Sequence, residues 1–572
     1  MRRIQKLMAR RIPGVLAACW PLWTLGAETC EPLSAGGETQ LLWGDLHVHT
    51  GYSLDANVYG TMATPADAYR FAKGAPLARA DGSIVQLARP LDFVAVTEHA
   101  EWLDFTSLCD SEHAEDFADC DNLINNRSPG SGSKLFGQYV VTSITGSSPE
   151  PLEPCSDDPK MCASMALNRW QSIQDQTNAA YEPCKFTTLH GYEWSHTPDF
   201  RHAHRNVIFR NEVVTQRAID YIHYPTTGAL WDALDEMCSA SDGCSAMTIP
   251  HNTNMGDGIS FEVLESSPDE LSQRARYERL IEITQEKGTS ECLPPFGENG
   301  AGDCDFELYL TKQSRPAEIS HYSLEEWETM RSTYARSLVG RGLAFPGEAA
   351  PLRLGFIGST DTHAATPGYV DEHVWSGSVL AGPGFNGAMR RKSWSAGGLV
   401  GVWAQENTRE SIFDALQRRE VYATSGPRIG LRFGADDEKS ALCDASAWRP
   451  DVNMGKTTHF GAQPTFTIQV QTDTAPIGLI EIIKVTRKDG RVREEVIPIW
   501  QETGDRMSHC VSWQDAKFDS TIPTLWYPRV RQQSTPRWSA VQCQQAQRCD
   551  EFPEVNVDIQ ERAWGSPIWH LP

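Results

Sequence analysis

The sequence predicts an α/β protein with its site past the ends of its strands, two loop-rich insertions, and a smaller β-rich region at the C-terminal end. Three observations carry this expectation. Between about Leu41 and Gly430, short apolar runs stop abruptly at His, Asp or Glu. Two stretches rich in Ser, Gly, Pro and Cys interrupt that rhythm, and after Arg428 the hydrophobic pattern changes to a period of two. At 572 residues the chain exceeds one ordinary domain, so one large barrel with additions or roughly two to four smaller units is expected.

Hydrophobic residues at 40% and charged residues at 22% exclude a polytopic membrane protein and do not suggest global disorder. The net charge of -24 would repel a polyanion, so nucleic acid is not an expected partner. The first element is an export signal. Arg2, Arg3, Lys6, Arg10 and Arg11 precede an apolar stretch from Ile12 to Ala27 that Pro13 and Pro21 break, which predicts a signal peptide over residues 1–27 cut after Gly26-Ala27. That stretch is too short and too broken to span a bilayer. Leu16-Ala17-Ala18-Cys19 supports a competing reading as a lipoprotein box, with a lipidated Cys19 as anchor. The expected location is therefore periplasmic or secreted, with the anchored form as the alternative.

Setting Cys19 aside leaves 14 of the 15 cysteines, an even number. Cys109 and Cys120, Cys155 and Cys162, Cys238 and Cys244, Cys292 and Cys304, and Cys543 and Cys549 are near neighbours, and none has the C-x-x-C spacing of a zinc or redox motif. In an exported chain such spacing reads as disulfides closing surface loops, although spacing alone does not fix the pairing.

Five runs define the expected strands. Leu41–Leu46 leads into His47, Leu91–Thr97 into Glu98-His99, Phe186–Tyr192 into Glu193, Ala246–Pro250 into His251, and Leu354–Thr360 into Asp361. Their length suits buried parallel strands, and polar groups gathered past strand ends are how an α/β barrel builds a site at one mouth. Thr64-Pro65 predicts a helix with proline in its first turn, and Asn407 with Glu410 suggests a capping box for another. Asp104–Cys184 and Gly288–Pro351 are read as disulfide-pinned insertions, either shaping an entrance or decorative. From residue 431 to 572, the alternation in Phe466–Gln471, the run Leu479–Val485 before Asp489-Gly490, and Thr524–Val530 predict a β-sandwich-like region, with a mostly irregular tail after Cys543.

His47-Val48-His49 puts two imidazoles on one side of an extended segment. Asp55 adds an oxygen ligand, His99 and His251 further imidazoles, Glu193 a carboxylate able to bridge two ions, and Asp361-Thr362-His363 a second pair at the same spacing. Imidazole and carboxylate without thiolate suit Zn, Mn or Fe.

These residues resemble a known family. His47–Asp55, Thr97-Glu98-His99 and Ser359–His363 look like the motif series of the PHP (polymerase and histidinol phosphatase) superfamily. Gly191–Trp194, His204–Phe209 and Val421–Gly426 resemble its exported bacterial branch, domain of unknown function 3604. The resemblance covers most of Leu41–Gly430. It implies a distorted seven-stranded β/α barrel, TIM-like in form, with a three-metal centre. It further implies that His47, His49, Glu193 and Asp361 hold one ion, that Glu193 bridges to a second held by His204 and His251, and that Asp55, His99 and His363 hold a third. Two departures stand out: Glu98 replaces the Asp usual beside the motif histidine, and His204 precedes its apolar run, which leaves His202 and His196 as rivals. His190, His196, His202, His223 and His373 are otherwise read as surface or hydrogen-bonded histidines.

The expected function is that of an exported metal-dependent hydrolase, with a metal-activated hydroxide as nucleophile and an anionic small-molecule or oligomeric substrate, foremost a phosphate ester. Glu193 and Asp361 would be its central carboxylates. Arg205 is a candidate clamp for a substrate oxygen, or else an ion-pair partner of an acidic group. Amidase, carboxylesterase or sulfatase activity on the same centre is the alternative within enzymes, and a non-catalytic metal-containing binding protein the alternative outside them.

Overall fold

In the computed structural model, Cys30 and most of residues 39–572 are described; 80, 117–119, 121–148, 153–154, 262–266, 297–302, 310–321, 348–349, 383, 437–441, 444–447, 554 and 556 are not. The predicted signal segment 1–27, with Cys19, lies outside the described residues.

Strand β1 (Gln40–Asp45) runs parallel to β2 (Phe93–Ala95), and β2 parallel to β3 (Thr187–Leu189). After His190 the chain enters a separate antiparallel sheet of β4 (Gly191–Trp194), β5 (Arg205–Phe209) and β6 (Ala246–Pro250). A parallel pair follows, β7 (Leu280–Gln285) and β8 (Gly355–Gly358). Two antiparallel strands, β9 (Leu399–Ala404) and β10 (Val421–Thr424), complete this half by pairing β9 with β1. Of the five runs expected as parallel strands, Ala246–Pro250 (β6) is corrected, since it pairs antiparallel with β5, as does β4 at the end of the third run; β9 and β10 also run against their neighbours. The protein is mixed α/β, but its strand ladders do not close into a barrel among the described residues. β6 packs beside β7, and β8 beside β9 and β10, without a shared ladder. Gly358 permits the last approach, since a Cβ there would sit 2.8 Å from the Thr424 carbonyl oxygen and 2.9 Å from that of Leu399.

A short helix α1 (Leu54–Val58) follows the first histidine pair. Helix α2 (Pro65–Ala72) starts as expected, with Thr64 and Asp67 forming a reciprocal capping box. Both supposed insertions contribute helices at the crossovers between parallel strands. Helix α3 (Pro159–Ala180) packs on α2 and β3, while α4 (Leu324–Arg331) and α5 (Ala335–Gly342) lie between β7 and β8 in the chain. The cap of α6 (Arg409–Arg418) is Thr408 rather than Asn407, whose amide instead donates to the carbonyls of Asp92 and Lys185.

In the C-terminal region, β11 (Gly430–Asp436), β12 (Thr465–Gln471) and β15 (Ser508–Gln514) form one sheet. The hairpin β13 (Ile477–Lys488) and β14 (Arg491–Gln501), turning at Asp489-Gly490, pairs with β16 (Thr524–Gln532) in another. Phe433, Phe466 and Ile468 of the first sheet bury against Ile480, Ile482, Trp526 and Val530 of the second. The tail is more ordered than its composition suggests. Helix α7 (Trp538–Gln545) is followed by β17 (Arg562–Gly565), which pairs with both β10 and β16, and by β18 (Ile568–His570). One continuous sheet thus runs from β1 into the C-terminal region.

Seven disulfides are formed. Five join the near neighbours, and Cys30–Cys184 and Cys443–Cys510 add two long-range links. Among the described residues, no helix is long and apolar enough to cross a membrane.

Candidate metal centre

Past the strand ends, backbone hydrogen bonds stitch the motif segments to one another. Asp361 N–H donates to the His47 carbonyl, Thr97 N–H to Val48, Glu193 N–H to Glu98, and His251 N–H to His204. This stitching brings His47, His49, Asp55, His99, Glu193, His204, His251, Asp361 and His363 into one buried cluster. His204 joins because β5 is reversed. It stands just before that strand, at the end where β4 and β6 finish, so it meets the others despite preceding its apolar run.

Glu193 is the hub. Its Oε1 lies 2.6 Å from His204 Nδ1 and 2.8 Å from His251 Nε2, and its Oε2 lies 3.2 Å from His49 Nε2 and 2.9 Å from His99 Nδ1. Asp361 Oδ1 is 3.3 Å from His47 Nε2 and 3.4 Å from His49 Nε2. Asp55 Oδ2 is 3.1 Å from His99 Nε2 and 2.9 Å from His363 Nε2. The outer nitrogens are held by neighbours that orient the rings. Glu282 lies 3.2 Å from His47 Nδ1, Ser53 Oγ 2.8 Å from His49 Nδ1, and Thr197 Oγ1 2.7 Å from His204 Nε2. Glu98 accepts from Thr50 and Ser53, so it acts on His49 through Ser53.

The electrostatics are those of buried carboxylates facing imidazoles. Burial opposes the charge on Glu193, but His99 and His204 hold its pKa well below the ordinary carboxylate range. Asp55 is likewise opposed by burial and held low by His363 and His99. Burial disfavours the charge on His363, but Asp55, Glu286 and Asp361 together lift its pKa to about 10. Ligation would require such imidazoles to give up their protons.

The donor set fits divalent cations. His47 Nε2, His49 Nε2 and Glu193 Oε2 are buried without a hydrogen-bond partner, a cost that coordination would relieve. The ligand atoms of His49, His99 and His363 lie within 4.8 Å of one another, as do those of His47, His49 and Glu193, and those of Glu193, His204 and His251.

Arg205 does not join the cluster. It occupies β5 one residue beyond His204, so its side chain takes the opposite face. Its Nε donates to Glu278 at 2.8 Å, and its two terminal nitrogens donate to the carbonyls of Ala203 and Ser260. The ion-pair alternative describes it; the substrate clamp does not. His190 bonds to Asn178 and His223 to Asp220. His196 packs on Trp194 and Tyr221, and His202 lies against the ring of His204. His373 lies at the surface.

Sequence reading missed Glu282, Gln285 and Lys287. Lys287 Nζ contacts Asp361 Oδ2, and Gln285 Nε2 donates to the same oxygen at 2.8 Å. The signal was available: Leu280–Gln285 is another apolar run ending in polar residues, Gln285-Glu286-Lys287.

A family model described as "Protein of unknown function (DUF3604)" matches residues 37–509 and 499–572. The chain belongs to this family. One relative of this DUF3604 protein is an uncharacterized protein of Chlamydia pneumoniae, 22% identical over 290 residues, which are 50% of this chain and 36% of the relative. The DUF3604 chain thus spans about a third of that relative's length. Among solved structures, it is similar to a two-domain protein of Bacteroides vulgatus containing a predicted PHP-like metal-dependent phosphoesterase. That match has 12% identity and a TM-score of 0.30, covering 88% of this chain and 94% of the other.

Proposed function

We propose that this chain is an exported metal-dependent hydrolase that cleaves phosphate esters, and that Glu193 and Asp361 are its central carboxylates. The observation that carries this reading is the convergence of nine buried imidazoles and carboxylates, several with donor atoms that lack a partner. Two or three divalent cations, of Zn, Mn or Fe type, would be held by His47, His49, Glu193 and Asp361, by Glu193, His204 and His251, and by Asp55, His99 and His363. Bound there, they would lower the pKa of a water toward about 7, orient the ester and offset charge developing on its oxygens.

The chain's own groups prepare that chemistry. Glu193 serves two of the three ligand groups, so its carboxylate sets the spacing between them. Glu282 occupies His47 Nδ1 and leaves Nε2 facing the centre, and Ser53 does the same for His49. Lys287 and Gln285 hold the outer oxygen of Asp361. In this reading the strands β1 to β10 correspond to a distorted seven-stranded barrel with additions whose ladders are interrupted between sheets, and residues 431–572 form an appended β-rich part. An extracytoplasmic location agrees with the seven disulfides.

The test is metal analysis of the purified protein, then a panel of phosphate, carboxylate, amide and sulfate esters on wild type, Glu193→Ala and Asp361→Ala. Bound metal and phosphate-ester turnover lost in both variants are expected. Metal-loaded protein that hydrolyses none of the panel would refute the enzyme reading, and turnover confined to another ester class would reassign the substrate.

A further inference from the structure

The cluster is bordered by two cations that nothing in it employs. Arg390 ends the helix Gly384–Arg390, and Arg391 follows it. Both are exposed, and neither has a carboxylate partner among the described residues.

Two independent routes tie this pair to the centre. From the Asp55 end, helix α1 packs against the turn Val379–Ala381, and the Ala381 carbonyl accepts from Arg390 Nη2 at 3.0 Å. Gly382 leaves room for that guanidinium: a Cβ there would stand 2.9 Å from Arg390 Nη2, and its φ of 89° suits glycine. From the Asp361 end, the Lys287 ammonium on Asp361 lies 6.0 Å from the ring centre of Trp394, and the guanidinium carbon of Arg391 lies 5.2 Å from it. Lys287 is already neutralised by Asp361. Among the described residues, Arg390 and Arg391 thus bring positive charge without a carboxylate partner to the border of the centre, in a chain whose net charge is -24.

We infer that Arg390 and Arg391 form a subsite for a second anionic group of the substrate, one carried at a distance from the ester that reacts at the metal centre. The inference rests on the hydrolase reading and narrows it: the substrate is an ester with an additional phosphate, sulfate or carboxylate, or one unit of a polyanionic oligomer. Arg391 is fixed on Trp394, and Arg390 is fixed on Ala381. The two guanidiniums face solvent from anchored positions, which lowers the entropy lost when they bind an oxyanion. Their charge also offsets the repulsion that an acidic surface gives an anion approaching the centre.

The test uses two non-hydrolysable probes on the full, metal-loaded chain, phenylphosphonate and 4-carboxyphenylphosphonate, with affinities measured by calorimetry. Metal content and circular dichroism are recorded for each preparation. Wild type is expected to bind the carboxylated probe about tenfold more tightly, and the Arg390→Ala/Arg391→Ala variant to bring that ratio to about one with metal content retained. Equal affinity of wild type for both probes, or a preference that survives in the double variant, would overturn the subsite and leave the hydrolase reading standing. Failure of metal-loaded wild type to bind either probe would overturn both.

Discussion

Lys287 grips one oxygen of Asp361 while the other oxygen of the same carboxylate faces His47 and His49. Lys287 is only 8% exposed, so the contact is little screened by water. It fixes which oxygen Asp361 offers the centre.

Lys287→Met removes this grip without removing a ligand atom. Bound metal is expected to stay, since one repelling positive charge is lost, while phosphate-ester turnover falls about 10–100-fold as Asp361 loses its orientation. Metal analysis and steady-state kinetics on one preparation check this, and undiminished turnover would count against a positioning role.

Removal of metal by chelation is expected to lower the melting temperature of wild type, because the partnerless His47 Nε2, His49 Nε2 and Glu193 Oε2 are then left uncoordinated. In Glu193→Ala, chelation should change the melting temperature much less, since the hub of two ligand groups is gone. Thermal melts with and without chelator read this directly.

Arg205 is buried against Glu278, so its substitution acts on stability. Arg205→Met is expected to cost about 3 kcal/mol, the lower part of the range for breaking a buried pair, because Arg274 still contacts Glu278. Denaturant midpoints measure the loss. A rise in KM at unaltered stability would restore the clamp.

A pH effect is expected from Glu372, which follows His363 closely in the sequence. Burial raises its carboxyl from the ordinary 4.5 to about 8, although Arg537 pulls the other way and the Trp538 N–H donates to it. The folded state therefore holds a proton that the unfolded chain releases, so this contribution is complete below about pH 4.5 and is lost as pH rises toward 8. Glu372→Gln keeps an acceptor for Trp538 and has no such proton. Its melting temperature should decline less than that of wild type over this interval; parallel declines would exclude the assignment.

Much of the centre was legible because metal-ligand types at abrupt strand ends are a local pattern. His47, His49, His99, Glu193, His251 and Asp361 each end such a run. His204 did not fit the pattern because β5 runs backwards, and strand direction depends on pairing with β4 and β6. Arg205 was misleading for the same reason that H-x-H is informative: neighbours in a strand face opposite ways, and Arg205 follows His204, which faces the cluster. The tail beyond Cys543 resembled loop because β17 and β18 are only four and three residues long. Their strand character comes from burial between sheets formed elsewhere in the chain.

The amino-acid sequence by itself determined the family and the imidazole–carboxylate character of the candidate site, and it pointed to disulfides without fixing their pairing; each of these rests on residue type and near spacing. Only the tertiary structure decided how the clustered side chains are oriented and which neighbours hold them: Glu282 reaches His47 across 235 residues and Lys287 reaches Asp361 across 74. Such pairings are set by how strands pack and reverse, a long-range outcome of burying the apolar faces together, and no local pattern encodes them.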